Sequence, residues 1–234
     1  MGSSRLPKKV ILNIQNKPLI LYLIDRLKII NDKNIDLIVA TTTSKSDDPL
    51  CKLLKKNNIP YFRGSELDVF SRFLECAKVY LPKFIVRINA DCPLICPKLV
   101  KETIDLLIDQ EDYDYASTIL DETFPLGMHV EVFKFDTLIR LNSMKLNKVD
   151  REHVTPKIYN NPQIFKLLSK TNVRNDSDLR LTVDHEVDLK VVRAIAKNFN
   201  EKVFYCDDIV NFLRNNSRIS RMNLHLMKRQ TISN

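Results

Sequence analysis

The chain has 234 residues, 44% of them hydrophobic and 28% charged, which suits one sizeable α/β domain of ordinary globular composition. Its net charge of +8 is confined to two ends: Arg5, Lys8, Lys9 and Lys17 at the start, and Arg214, Arg218, Arg221, Lys228 and Arg229 at the finish, are nine cations with no acid among them, so everything between is net −1. That distribution fits a phosphate site and a tail, and it argues against a nucleic-acid groove.

Val10–Ile14 is a short apolar piece, and Pro18 opens a helix to about Ile30 with Leu19, Leu23 and Leu27 at helical spacing. Leu37–Ala40 reads as a strand ending in three threonines, and Asp48-Pro49 caps and starts a helix to about Asn57. Tyr61-Phe62 is a short strand. Gly64 precedes a helix from Ser65, whose start Asp68 completes, with Val69, Phe73 and Cys76 on one face. Phe84–Ile88, bulky and largely β-branched, is a buried strand, and a helix from Pro97 to Asp109 follows with Leu99, Thr103, Leu106 and Leu107 inward. Further strands are expected at Tyr113–Thr118, Met128–Phe133, Ile164–Leu168 and Leu179–Val183. Further helices are expected after Asp136 and over Arg151–Tyr159, Val187–Phe199 and Cys206–Arg214. The alternation predicts an α/β fold, a mostly parallel sheet with helices on both faces. No linker or repeat divides it, so residues 1–216 read as one domain. Residues 217–234 read as a basic tail outside the catalytic pocket, free to fray or to pair two copies of the chain.

Only Gly2, Gly64 and Gly127 occur where average usage of ~7% would give about sixteen glycines. Those retained are expected where backbone geometry needs them. Neither a Walker loop nor a dinucleotide glycine fingerprint is present, which argues against an ordinary ATPase or dehydrogenase. Cys51, Cys76, Cys92, Cys96 and Cys206 are odd in number and lack the two-residue spacing of a zinc or redox pair. They are expected as buried thiols in a reducing, cytoplasmic compartment. No segment reaches the ~18 apolar residues of a membrane span, and the start has no apolar signal core.

Chemistry points to three places. The run Phe84-Ile-Val-Arg-Ile-Asn-Ala-Asp91 ends in an acid before Pro93, which puts Asp91 at the carboxyl end of a core strand, the edge where open α/β sheets bind ligands. The plain alternative is a turn aspartate. Gly2-Ser-Ser-Arg5-Leu-Pro-Lys-Lys9 combines small hydroxyl residues with cations, as a triphosphate requires. A disordered basic start or a cloning scar is the alternative. Asp184 follows the alternating strand at 179–183 and precedes a helix, so it is either a helix cap or a second carboxylate on the same sheet edge. Two such carboxylates can hold one Mg2+ beside substrate phosphates.

Several motifs, in order, resemble one family over nearly the whole chain. They are Met1–Lys9, Thr41-Thr-Thr43 with Asp47-Asp48-Pro49, Phe62-Arg-Gly-Ser-Glu-Leu-Asp-Val69, Val86–Leu94, Gly127-Met-His-Val-Glu-Val-Phe133, Asp150-Arg-Glu-His-Val-Thr-Pro156 and Leu179-Arg-Leu-Thr-Val-Asp184. The family is that of the SpsF-like cytidylyltransferases of spore-coat polysaccharide synthesis, relatives of CMP-Kdo and CMP-acylneuraminate synthetases. The resemblance implies a Rossmann-like nucleotide-diphospho-sugar-transferase domain that uses CTP and Mg2+ to activate a sugar or sugar acid and releases pyrophosphate. It implies Ser4, Arg5 and Lys9 at the triphosphate, Asp91 and Asp184 at the metal, and Lys9, Asp91 and Asp184 as the catalytic residues. Arg63 and Ser65 would lie near the nucleotide, and Glu131, Arg151 and His153 on the acceptor side.

Lys8 stands where the family's loop has glycine, Ala90 where glycine usually precedes the metal aspartate, and His129 where an aspartate is usual. Relatives also have an apolar strand and a Gln-Ala-Arg segment before the position of Met1, so the natural protein is expected to begin earlier. The competing hypothesis from another class is a non-catalytic, nucleotide-binding relative acting as an interaction subunit.

Overall fold

The computed structural model describes residues 5–200 and 202–227. A two-residue hairpin, β1 (Asn13–Ile14) and β2 (Lys17–Pro18), leads into α1 (Leu19–Lys28). Next come β3 (Val39–Thr42), α2 (Asp48–Lys56), β4 (Tyr61–Gly64), α3 (Val69–Tyr80), β5 (Phe84–Arg87) and α4 (Pro97–Ile108). After β6 (Tyr115–Ser117) and β7 (Glu131–Lys134), the chain forms α5 (Phe135–Asn142), α6 (Lys148–His153), α7 (Pro156–Tyr159) and β8 (Leu167–Ser169). It finishes with α8 (Glu186–Phe199), α9 (Cys206–Asn215) and the single turn α10 (Ser217–Ser220).

The α/β class is the one expected, and the sheet is mixed. β3 and β4 pair in parallel, Val39 opposite Tyr61. The other sheet runs β5-β7-β6-β8; β7 is antiparallel to both neighbours, and β6 is parallel to β8. Parallel neighbours need a long crossover, usually through a helix. Residues 118–130, between β6 and β7, contain no helix, and the chain returns antiparallel.

Three local expectations are corrected. α3 begins at Val69, because Asp68 accepts the Ser71 N–H at 2.8 Å as the cap, while Ser65 stays outside and accepts the Asp68 N–H at 3.0 Å. Its buried residues are Phe70, Leu74 and Ala77, not the expected Val69, Phe73 and Cys76; Val69 and Phe73 are only partly covered. The helix expected over 151–159 is two: Val154 turns with φ 73° between them, and Pro156, which has no N–H to leave unbonded, opens the second. The strand expected at 179–183 makes a single bridge, Arg180 with Leu126. It changes partners instead of extending a ladder: the Leu181 N–H bonds Leu126 at 2.7 Å, and the Val183 N–H bonds the Asp91 carbonyl at 2.8 Å.

The main core gathers α1, α4, α8 and α9 around the sheets, with Leu19, Ile24, Leu107, Val192, Ile195, Ile209 and Val210 almost wholly buried. Each such aliphatic side chain is worth roughly 1.5–3 kcal/mol of apolar transfer. A smaller cluster packs α3 and α5 on β6 and β7 through Phe70, Leu74, Tyr115, Phe133 and Leu138. Arg26, 5% exposed, crosses the main core. Its Nε donates to the Ile95 carbonyl at 2.9 Å and its Nη2 to the Phe204 carbonyl at 3.0 Å, and its guanidinium lies 4.0 Å above the Phe204 ring. All five cysteines are free thiols, and only Cys76 is not buried. No helix among the described residues is long and apolar enough to cross a membrane.

Candidate active site

Asp91 sits in the turn that follows β5, where the Cys92 N–H bonds the Asn89 carbonyl at 3.1 Å. The Val183 N–H on the Asp91 carbonyl draws this turn against the segment that ends at Asp184. Asp184 lies just before α8, and its own N–H donates to Asp188 Oδ2 at 3.0 Å. Lys9 reaches both from a 3₁₀ turn at Lys9–Ile11, which Lys8 enters with φ 60°, ψ 21°. Its Nζ donates to Asp91 Oδ2 at 2.8 Å and to Asp184 Oδ1 at 3.0 Å. Arg5 Nη2 adds a bond to Asp184 Oδ1 at 3.1 Å. Arg180 Nη2 holds the other oxygen, Oδ2, at 2.9 Å.

The electrostatics follow from this convergence. Burial disfavours the Lys9 ammonium, but Asp91 and Asp184 more than offset it and hold its pKa above the ordinary lysine value. Burial also pushes the Asp184 carboxyl up; hydrogen bonds from Lys9 and Arg180 and the charge of Arg5 overcome it and hold the group below the usual carboxylate range. Two hard oxygen ligands thus meet at one cation. Among the described residues no group of three or more His, Cys, Asp or Glu side chains could hold a metal. The two carboxylates fit, in number and type, an ion that takes one or two of them and draws its remaining ligands from phosphates and water, as Mg2+ does.

Gly127 makes the packing behind Asp184 possible. It has φ 109°, and a Cβ there would stand 2.6 Å from the Thr182 nitrogen and 2.8 Å from the Leu181 carbonyl carbon. Only glycine allows backbone to lie this close to backbone.

Glu131 is 4% exposed on β7. It is ion-paired to Arg87, accepts the Tyr115 hydroxyl at 3.0 Å and is bonded by the Thr155 hydroxyl. Arg87 Nε is buried without a hydrogen-bond partner. Beside this network Ile119, Leu120, Glu122, His129 and Tyr159 line a cavity of about 400 Å³. Burial pushes the His129 pKa down, and Glu122, Glu131 and Asp91 pull the other way without reversing it. Burial thus works against a charged imidazole at His129.

The remaining expected residues stand apart. Arg63 is occupied in holding the loop after β3: it donates to the carbonyls of Thr42 and Ser44, each at 2.8 Å, and pairs with Asp48 at 2.9 Å. Ser65 is exposed and engaged at the start of α3. Arg151 pairs with Asp68 at 2.6 Å, and His153 is exposed. Arg151 also borders a larger hollow of about 640 Å³ with Glu66, Leu67 and Lys148, which holds none of Lys9, Asp91 and Asp184. Ser4 lies outside the described residues. Arg180, Arg87, Thr155 and Asp47 fall within the motifs quoted above but had no role assigned from sequence, and neither did Asp188 and Tyr115. The Asp47 carboxylate is 2% exposed and takes the hydroxyls of Thr41 and Thr42 at 2.6 and 2.7 Å. A signal existed for Asp188, three residues after His185, because an acid at that spacing closes a helix capping box.

Residues 1–205 match the family described as cytidylyltransferase. The chain belongs to that family. This cytidylyltransferase is 32% identical over 209 residues to the spore coat polysaccharide biosynthesis protein SpsF of Bacillus subtilis, covering 86% of this chain and 85% of that one. It is 35% identical over 230 residues to an uncharacterized protein of Methanocaldococcus jannaschii, covering 97% and 93%. The structure of a cytidylyltransferase from Leptospira borgpetersenii superposes with a TM-score of 0.89 at 33% identity, over 94% of this chain and 92% of that one. CMP:2-keto-3-deoxy-manno-octonic acid synthetase, solved with CTP, shares the fold with a TM-score of 0.65 at 15% identity, over 84% and 95%. These neighbours are nucleotidyltransferases of Rossmann-like fold, the class expected for this chain.

Proposed function

We propose that the chain is a Mg2+-dependent cytidylyltransferase that couples CTP to a sugar or sugar acid for surface glycan synthesis and releases pyrophosphate. The observation that carries this reading is the bridge from Lys9 to both Asp91 and Asp184, with Arg5 beside them. Asp91 and Asp184 would hold the ion, which supplies charge neutralisation for the phosphates when bound. Lys9 and Arg5 then face the triphosphate, where an ammonium and a guanidinium fork neutralise the departing pyrophosphate. Arg180 keeps Asp184 ionised and aimed. An acceptor oxygen attacks the α-phosphorus in line, and no covalent enzyme intermediate is needed.

The cavity at His129 is favoured for the acceptor over the larger hollow at Arg151. Neither hollow is lined by Lys9, Asp91 or Asp184, but the charge of Asp91 acts on His129, and this cavity offers an imidazole and a phenol to sugar hydroxyls. Glu131 is held in the buried network by Arg87, Tyr115 and Thr155 and is not among the residues that line this cavity. The free cysteines support action in a reducing, cytoplasmic setting.

The test is incubation of the protein with CTP, Mg2+ and a panel of sugar acids and sugar phosphates, with pyrophosphate as the readout. Release that requires all three components is expected. CTP binding without release for any acceptor would favour the non-catalytic relative.

A further inference from the structure

The C-terminal segment contains a polar side chain buried where its neighbours are not. Asn223 is 1% exposed, between Met222 at 36% and Leu224 at 48%. Its Nδ2 donates to Asp188 Oδ1 at 2.8 Å and to the Arg180 carbonyl at 3.2 Å. Asp188 is wholly buried. It also takes Arg180 Nε at 2.9 Å on Oδ1, Arg180 Nη2 at 3.2 Å on Oδ2, and the N–H groups of Asp184 and His185 on Oδ2 at 3.0 and 2.9 Å. The same Arg180 Nη2 bonds Asp184 Oδ2. A continuous chain of hydrogen bonds thus runs from the segment after α10 to a carboxylate of the active site.

We infer that Asn223 is a positioning residue for Asp184, so that the segment after Asn216 belongs to the catalytic apparatus and is not a free basic tail. This rests on the cytidylyltransferase reading of the site. A carboxamide suits the task because it donates to a buried carboxylate without adding charge, whereas a lysine there would compete with Arg180 for Asp188. Without Asn223, Asp188 Oδ1 keeps Arg180 Nε alone, and the carboxylate can rotate and carry the guanidinium with it. Asp184 then loses the partner that fixes its second oxygen. Outer partners of this kind change metal affinity or activity by about 10–100-fold when removed.

The test compares Asn223→Ala with Leu224→Ala, an exposed control in the same segment, and with Asn223→Ser, which restores a donor. Each full-length variant is measured for melting temperature, for Mn2+ affinity in the presence of CTP by electron paramagnetic resonance, and for kcat and KM of pyrophosphate release. Asn223→Ala is expected to weaken Mn2+ binding and lower kcat about tenfold, with KM for CTP little changed; Asn223→Ser recovers part of the loss and Leu224→Ala shows none. A folded Asn223→Ala protein with wild-type Mn2+ affinity and kcat would overturn the inference. So would loss of folding in both Asn223 variants, which would make the residue a fold element alone. Wild-type protein that neither binds CTP with Mn2+ nor releases pyrophosphate would overturn the parent reading, and this one with it.

Discussion

The Nζ of Lys9 lies 2.8 Å from Oδ2 of Asp91 across 82 residues of sequence. The same ammonium bonds Asp184, so three distant pieces of chain share one ion-paired centre. Asp91→Asn and Asp184→Asn each remove a charge with almost no change in volume. Each is expected to lower Mg2+-dependent turnover by at least about a hundredfold, since even outer-shell losses cost up to that much. Far-ultraviolet circular dichroism should stay native. Near-normal turnover in either variant would refute the two-carboxylate site.

Lys8 adopts a left-handed conformation, φ 60° and ψ 21°, at the entrance to the Lys9 turn. A side chain in that region costs roughly 1–2 kcal/mol that glycine does not incur. Lys8→Gly is therefore expected to stabilise the protein by about 1 kcal/mol after the greater chain entropy of glycine is subtracted. For a chain of this size that raises Tm by about 2–4 °C. A lower Tm in a thermal melt would show that the Lys8 side chain has a role of its own.

Gly127 gives the opposite result. Gly127→Ala forces a Cβ to within 2.6 Å of the Thr182 backbone, at a φ of 109° that alanine resists. A loss of at least about 1–3 kcal/mol is expected from overpacking alone. It should be accompanied by reduced turnover, because Thr182 lies two residues before Asp184. Urea unfolding at fixed pH measures the first and pyrophosphate release the second.

Glu131 separates a structural from a ligand-binding role. Glu131→Ala leaves the Arg87 cation buried without its partner, which costs about 3–5 kcal/mol in comparable pairs. Glu131→Gln keeps an acceptor for Tyr115 and Thr155 and should cost less. Equal stability of wild type and Glu131→Ala would move the residue from the buried network to the acceptor.

Acid should weaken the fold through a small set of groups. Asp47, Asp184 and Asp188 are each held below the ordinary carboxylate value of 3.8, against burial, by hydrogen bonds. A depressed carboxyl contributes stability above its unfolded pKa, and that contribution disappears as pH falls through the folded value. The stability measured by urea should therefore decline below about pH 4, and Asp47→Asn should flatten the decline. Lys9 acts in the other direction: its contribution is complete below 10.5 and fades as pH rises through its raised value. An acid limb unchanged in Asp47→Asn would contradict the assignment.

Much of the centre was legible because its parts are local. An acid closing an apolar strand before a proline, or following a strand and opening a helix, is a pattern of a few residues, and both Asp91 and Asp184 carry it. Phe70 and Leu74 were missed as the inward face of α3 because Val69, Phe73 and Cys76 form a second apolar stripe one residue, about 100°, round the helix, and periodicity alone does not choose between them. Arg63 carries a charge suited to phosphate, yet its carbonyl and Asp48 partners come from a loop about twenty residues away that no pattern announces. Asn223 gave no signal at all. An asparagine in a run of basic and exposed residues reads as surface, and only the folded chain shows the buried carboxylate it meets.

Arg26 bears on how the protein is made. Its acceptors, Ile95 and Phe204, lie 69 and 178 residues downstream. At a synthesis rate of ~5–20 residues per second, Phe204 leaves the ribosome roughly 10–40 s after Arg26. Through that interval the guanidinium lacks one of its two carbonyl acceptors and the ring that covers it. The final packing of the first helix around Arg26 therefore waits for the last quarter of the chain. Nascent chains arrested before Phe204 should remain targets for chaperones and proteases, so a prematurely ended message yields a fragment that is cleared and does not persist as a half-built enzyme.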